Sequence, residues 1–383
     1  MKFESAKNSL RNFDYLLFAA VAALVTIGIA FIDSASVRSG EWGQVIEKRG
    51  FAEMQFKWAL ISVGVFFALL VPRYTRFKSL VFPFFVLTVM LLVYVLFYGV
   101  GPARSPGVRR WIQLPSGYLQ PSQLAEVAVA LILARYLMYR RSPGLKDMIV
   151  VFALAGLPML LVLKQPDLGT ALLFAPLPLV MLFVAGARVW YLLTVVGAGL
   201  AAIPTFWIFA MKDYQKMRFL AWLQPEKFLQ DEGWQYIHSR IAVGSGGLFG
   251  KGLGHGTQNT LNYLSERHTD FIFSVILEEW GFVGALLLVF LYLIIVFCGL
   301  GIAARTREPF GRLLVVGVVT LLATQVFVNM GMNIGLMPIT GLTLPFISYG
   351  GSSLLASFFA VGIMMNVAVH PVVVLSGESY QLS

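Results

Sequence analysis

Charge is scarce in this 383-residue chain: 13% of its residues are Asp, Glu, Lys or Arg, while 58% are hydrophobic and the mean hydropathy is +0.77. That balance excludes a soluble protein of this length and leaves a polytopic membrane protein. Cysteine is almost missing. Cys298 stands alone inside an apolar run, which excludes an intrachain disulfide framework and a cysteine-based zinc site. Internal repeats, low-complexity tracts and a soluble domain are absent too, so residues 1–383 read as one integral membrane domain. No cleavable signal is evident, because the polar segment Met1 to Asp14 leads into an apolar run that ends without a small-residue cleavage site. That run is expected to stay as a span. Acidic residues (19) are outnumbered by basic ones (29), giving +10. In a membrane protein topology accounts for such an excess before nucleic acid does, so no nucleic-acid partner is expected.

Long apolar runs are what the chain has in quantity. Crossing the hydrocarbon takes roughly 20 residues, and candidates lie at 15–32, 58–72 (starting nearer Phe51), 79–99, 121–139, 148–164, 168–186, 189–211, 271–300, 312–335 and 345–369. The expected fold is therefore all-α and polytopic, with about ten transmembrane helices. With a cytoplasmic N-terminus, the inward segments carry Lys2, Lys7 and Arg11; Arg73, Arg76 and Lys78; Arg140, Arg141 and Lys146; Arg188; and Arg305, Arg307 and Arg312. The outward loop 336–345 has no Lys or Arg, and another mixes signs in Arg38, Glu41, Glu47, Lys48 and Glu53. This is the positive-inside pattern. It makes 212–270, between spans seven and eight, a large extracytoplasmic loop. Pro and Gly punctuate the outer loops, at Gly101-Pro102, Ser105-Pro106-Gly107, Pro338, Gly341 and Pro345. Gly-rich backbone at membrane depth needs protein or water around it, so a cavity open to the outside is expected.

Polar chemistry gathers between Gly233 and Gly281. Gly244 to Gly252 superficially resembles a phosphate loop, but Ser245 stands where the first glycine should fall and Gly252 replaces the required Ser or Thr. Either it is a tight turn, or its amides and Lys251 approach an anion as a nest. Glu266, His268 and Asp270 alternate just before an apolar helix, with His255 upstream. Thr269 or Asp270 could cap that helix; equally, the oxygen-rich set could hold Mg²⁺ or Mn²⁺. Glu278 and Glu279 fall roughly 12 Å further along it and must face the bundle interior or water, as partners of a basic residue or as catalysts. In span nine Gln325, Asn329 and Asn333 share one face, as interhelical hydrogen bonding requires. In span four Gln123 and Glu126 share a face below Pro121, and the intramembrane charge of Glu126 demands a reason. The small residues of Leu344 to Ser353 permit close helix contact at the start of the last span.

Taken together these pieces resemble the SEDS (shape, elongation, division, sporulation) family of bacterial membrane glycosyltransferases. The matching motifs are Gln165-Pro166-Asp167-Leu168-Gly169-Thr170, Tyr214-Gln215 with Arg218, Ile241 to Gly247, Gly250-Lys251-Gly252, Gly256-Thr257-Gln258, Glu266 to Phe273, and Pro345 to Ser352. They occur in order over nearly the whole chain, and features such as Glu266-Arg267-His268 are closer to the elongation branch than to the division branch. The resemblance implies a ten-helix protein of the bacterial cytoplasmic (inner) membrane that polymerises lipid II outside the cell, beside a class B penicillin-binding protein supplying transpeptidation. It also implies that Asp270 is the catalytic acid, as base or as ligand of a divalent cation. Substrate would be bound by Arg218, Lys251, Arg110, Glu126, Gln123, His268, Ser348 and Tyr349. One departure stands out. The span-four motif usually reads Gln-Pro-Ser-Glu-x-Ala-Lys, whereas here Gln120-Pro121-Ser122-Gln123-Leu124-Ala125-Glu126 cannot form the usual charge pair, so either Glu126 finds another cation, Arg110 or Arg218, or the activity is lower or altered.

Joining a sugar hydroxyl to an anomeric carbon that leaves a lipid pyrophosphate calls for a base and for positive charge at the diphosphate. Asp270 would supply the first, and Arg218, Lys251 and Arg110 the second. Two other functions fit the same spans: a flippase for a lipid-linked precursor, and a non-catalytic scaffold of the wall-building complex.

Overall fold

A computed structural model describes residues 12–39, 45–48, 50–101, 108–114, 117–209, 211–228, 232–261 and 263–371. Lys2, Lys7, Arg11, Glu41, Pro102, Ser105, Pro106 and Gly107, named above, lie outside the described residues. The described chain is a helical bundle with two short hairpins. In order it runs α1 (Tyr15–Ser36), β1 (Val37–Ser39), β2 (Val45–Lys48), α2 (Phe51–Leu70), α3 (Tyr74–Tyr98), β3 (Ile112–Leu114), β4 (Gly117–Leu119), α4 (Pro121–Leu137), α5 (Leu145–Lys164), α6 (Leu168–Leu173), α7 (Pro176–Val184) and α8 (Val189–Phe209). Then come α9 (Asp213–Leu223), α10 (Glu232–Ser245), α11 (Thr257–Thr260), α12 (Ile272–Arg305), α13 (Pro309–Asn333) and α14 (Gly351–Val369).

Among the described residues eight helices are long and apolar enough to cross a membrane: α1, α2, α3, α5, α8, α12, α13 and α14. The other two runs expected as spans take different forms. The fourth, α4, buries 14 of its 17 residues and packs against α3, α5, α7, α13 and α14, so it is the core post of the bundle. The sixth is broken into α6 and α7, with Pro176 opening the second piece: a proline supplies no amide to the preceding turn but fits a helix start. The last helix begins at Gly351 rather than near 345, because Pro345 to Gly350 is irregular, with Phe346 at φ 67° and Gly350 at φ 155°.

Arginine and lysine mark one end of the bundle. Helix α12 runs from its Asp270 end to Arg305, and α13 returns from Pro309 to Asn333, whose side chain meets Asp270, so the 305–312 connection lies opposite Asp270. That connection carries Arg305, Arg307 and Arg312. There Lys78 pairs with Glu308 at 2.8 Å, and Glu308 accepts from the Gly311 amide to start α13. Arg305, Arg307, Arg312 and Lys78, all expected to face inward, thus share the end remote from Asp270.

The loop between α8 and α12 is folded, with its own small core of Tyr236, Ala242, Leu264, Phe271 and Ile339. Trp222 Nε1 and the Tyr236 hydroxyl both donate to the Gly335 carbonyl, and the Ser239 hydroxyl donates to that of Asn333. These bonds staple α9 and α10 onto the Asn333 end of α13.

Candidate active site

A tight turn from Glu266 to Phe271 holds the candidate acid. The Glu266 carbonyl accepts from the amides of Thr269, Asp270 and Phe271, and α12 starts with Phe271 at its N-cap and no side-chain capping bond. The expectation that Thr269 or Asp270 caps this helix is therefore corrected. The turn is fastened from four directions instead. Buried Arg267 donates from Nε to the Ala35 carbonyl at the end of α1, at 2.6 Å. The His268 ring stacks on Phe51, 4.5 Å between centroids, with Tyr349 5.6 Å away, while its carbonyl accepts from the Tyr349 amide. The Ser348 hydroxyl donates to the Thr269 carbonyl at 2.6 Å. The amides of Asn329 and Asn333 both donate to the Asp270 carbonyl, at 3.1 and 3.0 Å. His268, Ser348 and Tyr349, expected near substrate, thus fix the backbone on which Asp270 sits. The stripe in α13 does the interhelical bonding its spacing predicts.

The side chain of Asp270 is held differently from its backbone. It is half-buried, and among the described residues its carboxylate has no hydrogen-bond partner. Gly341, at φ 73°, passes close by; a Cβ there would stand 3.5 Å from Oδ2, so the glycine keeps the approach clear. Desolvation raises the Asp270 pKa to about 7, helped by the charges of Glu266 and Asp167 and opposed by those of Arg218 and Arg110. The site therefore gathers three acids and two arginines from four segments of the chain. Arg110 is held by Asp167, 3.7 Å away, and donates to the carbonyls of Gln165 and Pro166. Asp167 also accepts from Gln120 Nε2 at 3.3 Å and from the Thr170 amide, starting α6. Asp167 was quoted only as a motif member, and nothing in the sequence placed it beside Arg110.

Lys251 goes elsewhere. Its ammonium pairs with Glu278 at 2.6 Å and donates to Thr257 at 2.9 Å, so the structure does not bring it into the group around Asp270. Glu278 and Glu279 are fully buried. Glu278 also accepts from the Thr257 hydroxyl and the Gln258 amide, and Glu279 from the Ser34 hydroxyl and the Gly254 amide. The structural role anticipated for these acids is the one seen. The glycine loop shares it: α12 breaks at Gly281 (φ 65°, ψ −158°), and the loop enters the gap. The amides of Lys251 and Gly252 donate to the carbonyls of Glu278 and Glu279, and the amides of Phe282 and Val283 donate to the carbonyls of Gly247 and Leu248. Those two loop amides are engaged by the helix, which favours the tight turn over an anion nest.

In α4, Gln123 and Glu126 are buried, and Glu126 Oε1 has no hydrogen-bond partner. The cation expected for Glu126 is not there, since Arg110 sits on Asp167. The alternating Glu266, His268 and Asp270 do not converge with His255 either; among the described residues no group of three or more His, Cys, Asp or Glu is placed to hold a metal ion.

A family model described as cell cycle protein, covering FtsW, RodA and SpoVE, matches residues 14–372. The chain belongs to this SEDS family. Two of its relatives are peptidoglycan glycosyltransferase MrdB of Escherichia coli K12, 44% identical over 288 residues (75% of this chain, 77% of that one), and probable peptidoglycan glycosyltransferase FtsW of Trichlorobacter lovleyi, 40% identical over 370 residues (94% of each). The SEDS fold is matched in solved structures as well. One, from work on polymerization and crosslinking by a peptidoglycan synthase complex, superposes with a TM-score of 0.78 at 30% identity, covering 93% of this chain and 97% of that one. Another is Thermus thermophilus rod shape determining protein RodA, with a TM-score of 0.69 at 30% identity, covering 93% and 96%. The chain is thus a multi-pass membrane protein of a bacterial family.

Proposed function

We propose that this SEDS protein is a peptidoglycan glycosyltransferase that polymerises lipid II during cell elongation, with Asp270 as the base that takes the acceptor hydroxyl proton. The observation that carries this reading is a fixed backbone presenting a carboxylate that has no hydrogen-bond partner among the described residues, its pKa raised by burial to about 7 against the charges of Arg218 and Arg110. A base with that pKa is about half ionised at neutral pH, where proton abstraction is most effective. Arg110 and Arg218 supply positive charge for the departing diphosphate, where exclusion of water strengthens it. Lys251 is left out of that role because Glu278 and Thr257 engage it.

The division of labour follows from the lipid. Its polyprenyl chain stays in hydrocarbon while the sugars reach Asp270 at the head of α12. In this reading the site faces the outside of the cytoplasmic membrane, which the basic residues at the opposite end support. A class B penicillin-binding protein is the proposed partner, by analogy with the synthase complex to which the fold is similar.

A divalent cation fits the site in part. Mg²⁺ is commonly held by one or two carboxylates together with substrate phosphates. Here Asp270 and Glu266 are the acids that would hold it, and its contribution would be to neutralise diphosphate charge.

The test is polymerisation of labelled lipid II by the purified protein with its transpeptidase partner, with and without Mg²⁺ or Mn²⁺. Asp270→Asn is expected to stop chain growth while folding and partner binding persist. Wild-type polymer from that variant would remove Asp270 from the chemistry.

A further inference from the structure

At the end of the bundle remote from Asp270, a cavity of about 390 Å³ opens between α3, α4 and α5. Its walls are apolar, formed by Phe82, Ile132, Val150 and Leu154, and Phe82 is 60% exposed, so the cavity opens sideways toward the bilayer. Its rim is basic and aromatic, with Arg135 and Arg140 beside Tyr136 and Tyr139. An apolar slot with cations at its mouth is the shape of a phospholipid, not of a soluble metabolite.

Arg135 is the decisive residue. It is half-buried at the end of a helix that is otherwise almost wholly inside the protein. Among the described residues it makes no hydrogen bond and no ion pair. The nearby acid is already engaged: Asp147 accepts from the Tyr136 hydroxyl at 2.9 Å and from the Gly144 amide at 3.0 Å, and pairs with Arg140 at 3.1 Å. A guanidinium with five donors, partly withdrawn from water and with no counter-ion, is costly unless an anion arrives. Arg140 leans over the Tyr136 ring, 5.5 Å from its centroid, which holds a second cation on the same rim. Arg305 and Arg307, at the same end of the bundle, are exposed and can be satisfied by water.

We propose that this slot is a binding site for an anionic glycerophospholipid. Its phosphate is held between Arg135 and Arg140, Tyr139 stands at the headgroup level, and one acyl chain runs along Phe82, Val150 and Leu154 toward Ile132. Basic pockets between membrane helices recognise lipid headgroups in this way. The site lies across the bundle from Asp270 and is independent of the polymerisation chemistry.

The full-length protein in a mild detergent would be titrated with dioleoylphosphatidylglycerol or dioleoylphosphatidylcholine and the bound lipids counted by native mass spectrometry. One phosphatidylglycerol should be retained at least about fivefold more tightly than phosphatidylcholine, with Arg135→Gln losing about that factor and Arg135→Lys recovering part of it. Leu154→Trp, which fills the slot, should release the lipid, and Arg305→Gln should change nothing. If Leu154→Trp does not fold, Arg135→Gln read against Arg305→Gln decides. Equal retention of both lipids, equal losses in Arg135→Gln and Arg305→Gln, or displacement by excess inorganic phosphate would overturn the proposal, the last by showing a free-anion site.

Discussion

The acids inside α12 and the acid just ahead of it end up in opposite circumstances. Glu278 and Glu279 are sealed in the bundle, where Lys251, Thr257, Ser34 and the amides of Gly254 and Gln258 answer their oxygens. Asp270, about two turns away, has its main chain fastened by Asn329 and Asn333 while its carboxylate has no hydrogen-bond partner among the described residues. The same functional group is thus a structural tie in one place and, in the function proposed above, a reagent in the other. What separates them is whether the protein's own donors saturate the oxygens.

Exchanging the reagent gives the largest expected effect. Asp270→Asn should lower polymerisation by about 10³-fold with a melting temperature no lower than that of the wild type, since a general base contributes roughly 10²–10⁴. Loosening the mount comes next. Asn333→Leu removes donors to the Asp270 carbonyl and an acceptor for Ser274; a drop in kcat of about 10–100-fold with KM little changed is expected, as misplacement by an ångström costs that much. If KM alone rises, Asn333 touches substrate rather than its neighbour.

Lys251→Ala should act on the tie. It leaves Glu278 buried without its cation and should cost about 3 kcal/mol, seen as a lower melting temperature. A fully stable variant that cannot polymerise would return Lys251 to the diphosphate. The pH profile should show the reagent alone: kcat/KM is expected to rise through about pH 7 as Asp270 loses its proton. The sign for stability is opposite. A carboxyl whose folded pKa lies above its unfolded value favours folding at low pH, and that contribution fades as pH climbs from about 4 to about 7. The smallest effect is expected from Glu126→Gln, which should stay within about threefold of wild-type activity, because no cation depends on Glu126 and its Oε1 has no partner to lose. A collapse of activity there would make Glu126 part of the site.

Much of this was legible in the sequence. Hydropathy located the eight spans seen among the described residues because length and apolar content carry that signal directly, and the motif around Asp270 pointed to the acid that the proposed function uses. The missing parts depend on contacts between distant segments. Arg110 and Asp167 are more than fifty residues apart and meet only because α5 and the β3 hairpin end side by side. Lys251 looked like a ligand for phosphate because its neighbours are glycines. Those glycines instead let the loop enter a helix break at Gly281, which no hydrophobic period reveals. The late start of α14 was likewise hidden, since Pro345 to Gly350 is apolar enough to read as span.

The break at Gly281 separates aim from anchorage. Beyond it α12 packs against α13 and α1, whereas the short piece leading to Asp270 is braced by the inserted loop and by the side-chain amides of α13. A tilt of the long shaft can be absorbed at that joint, leaving the direction of the Asp270 carboxylate to be set by the inserted loop.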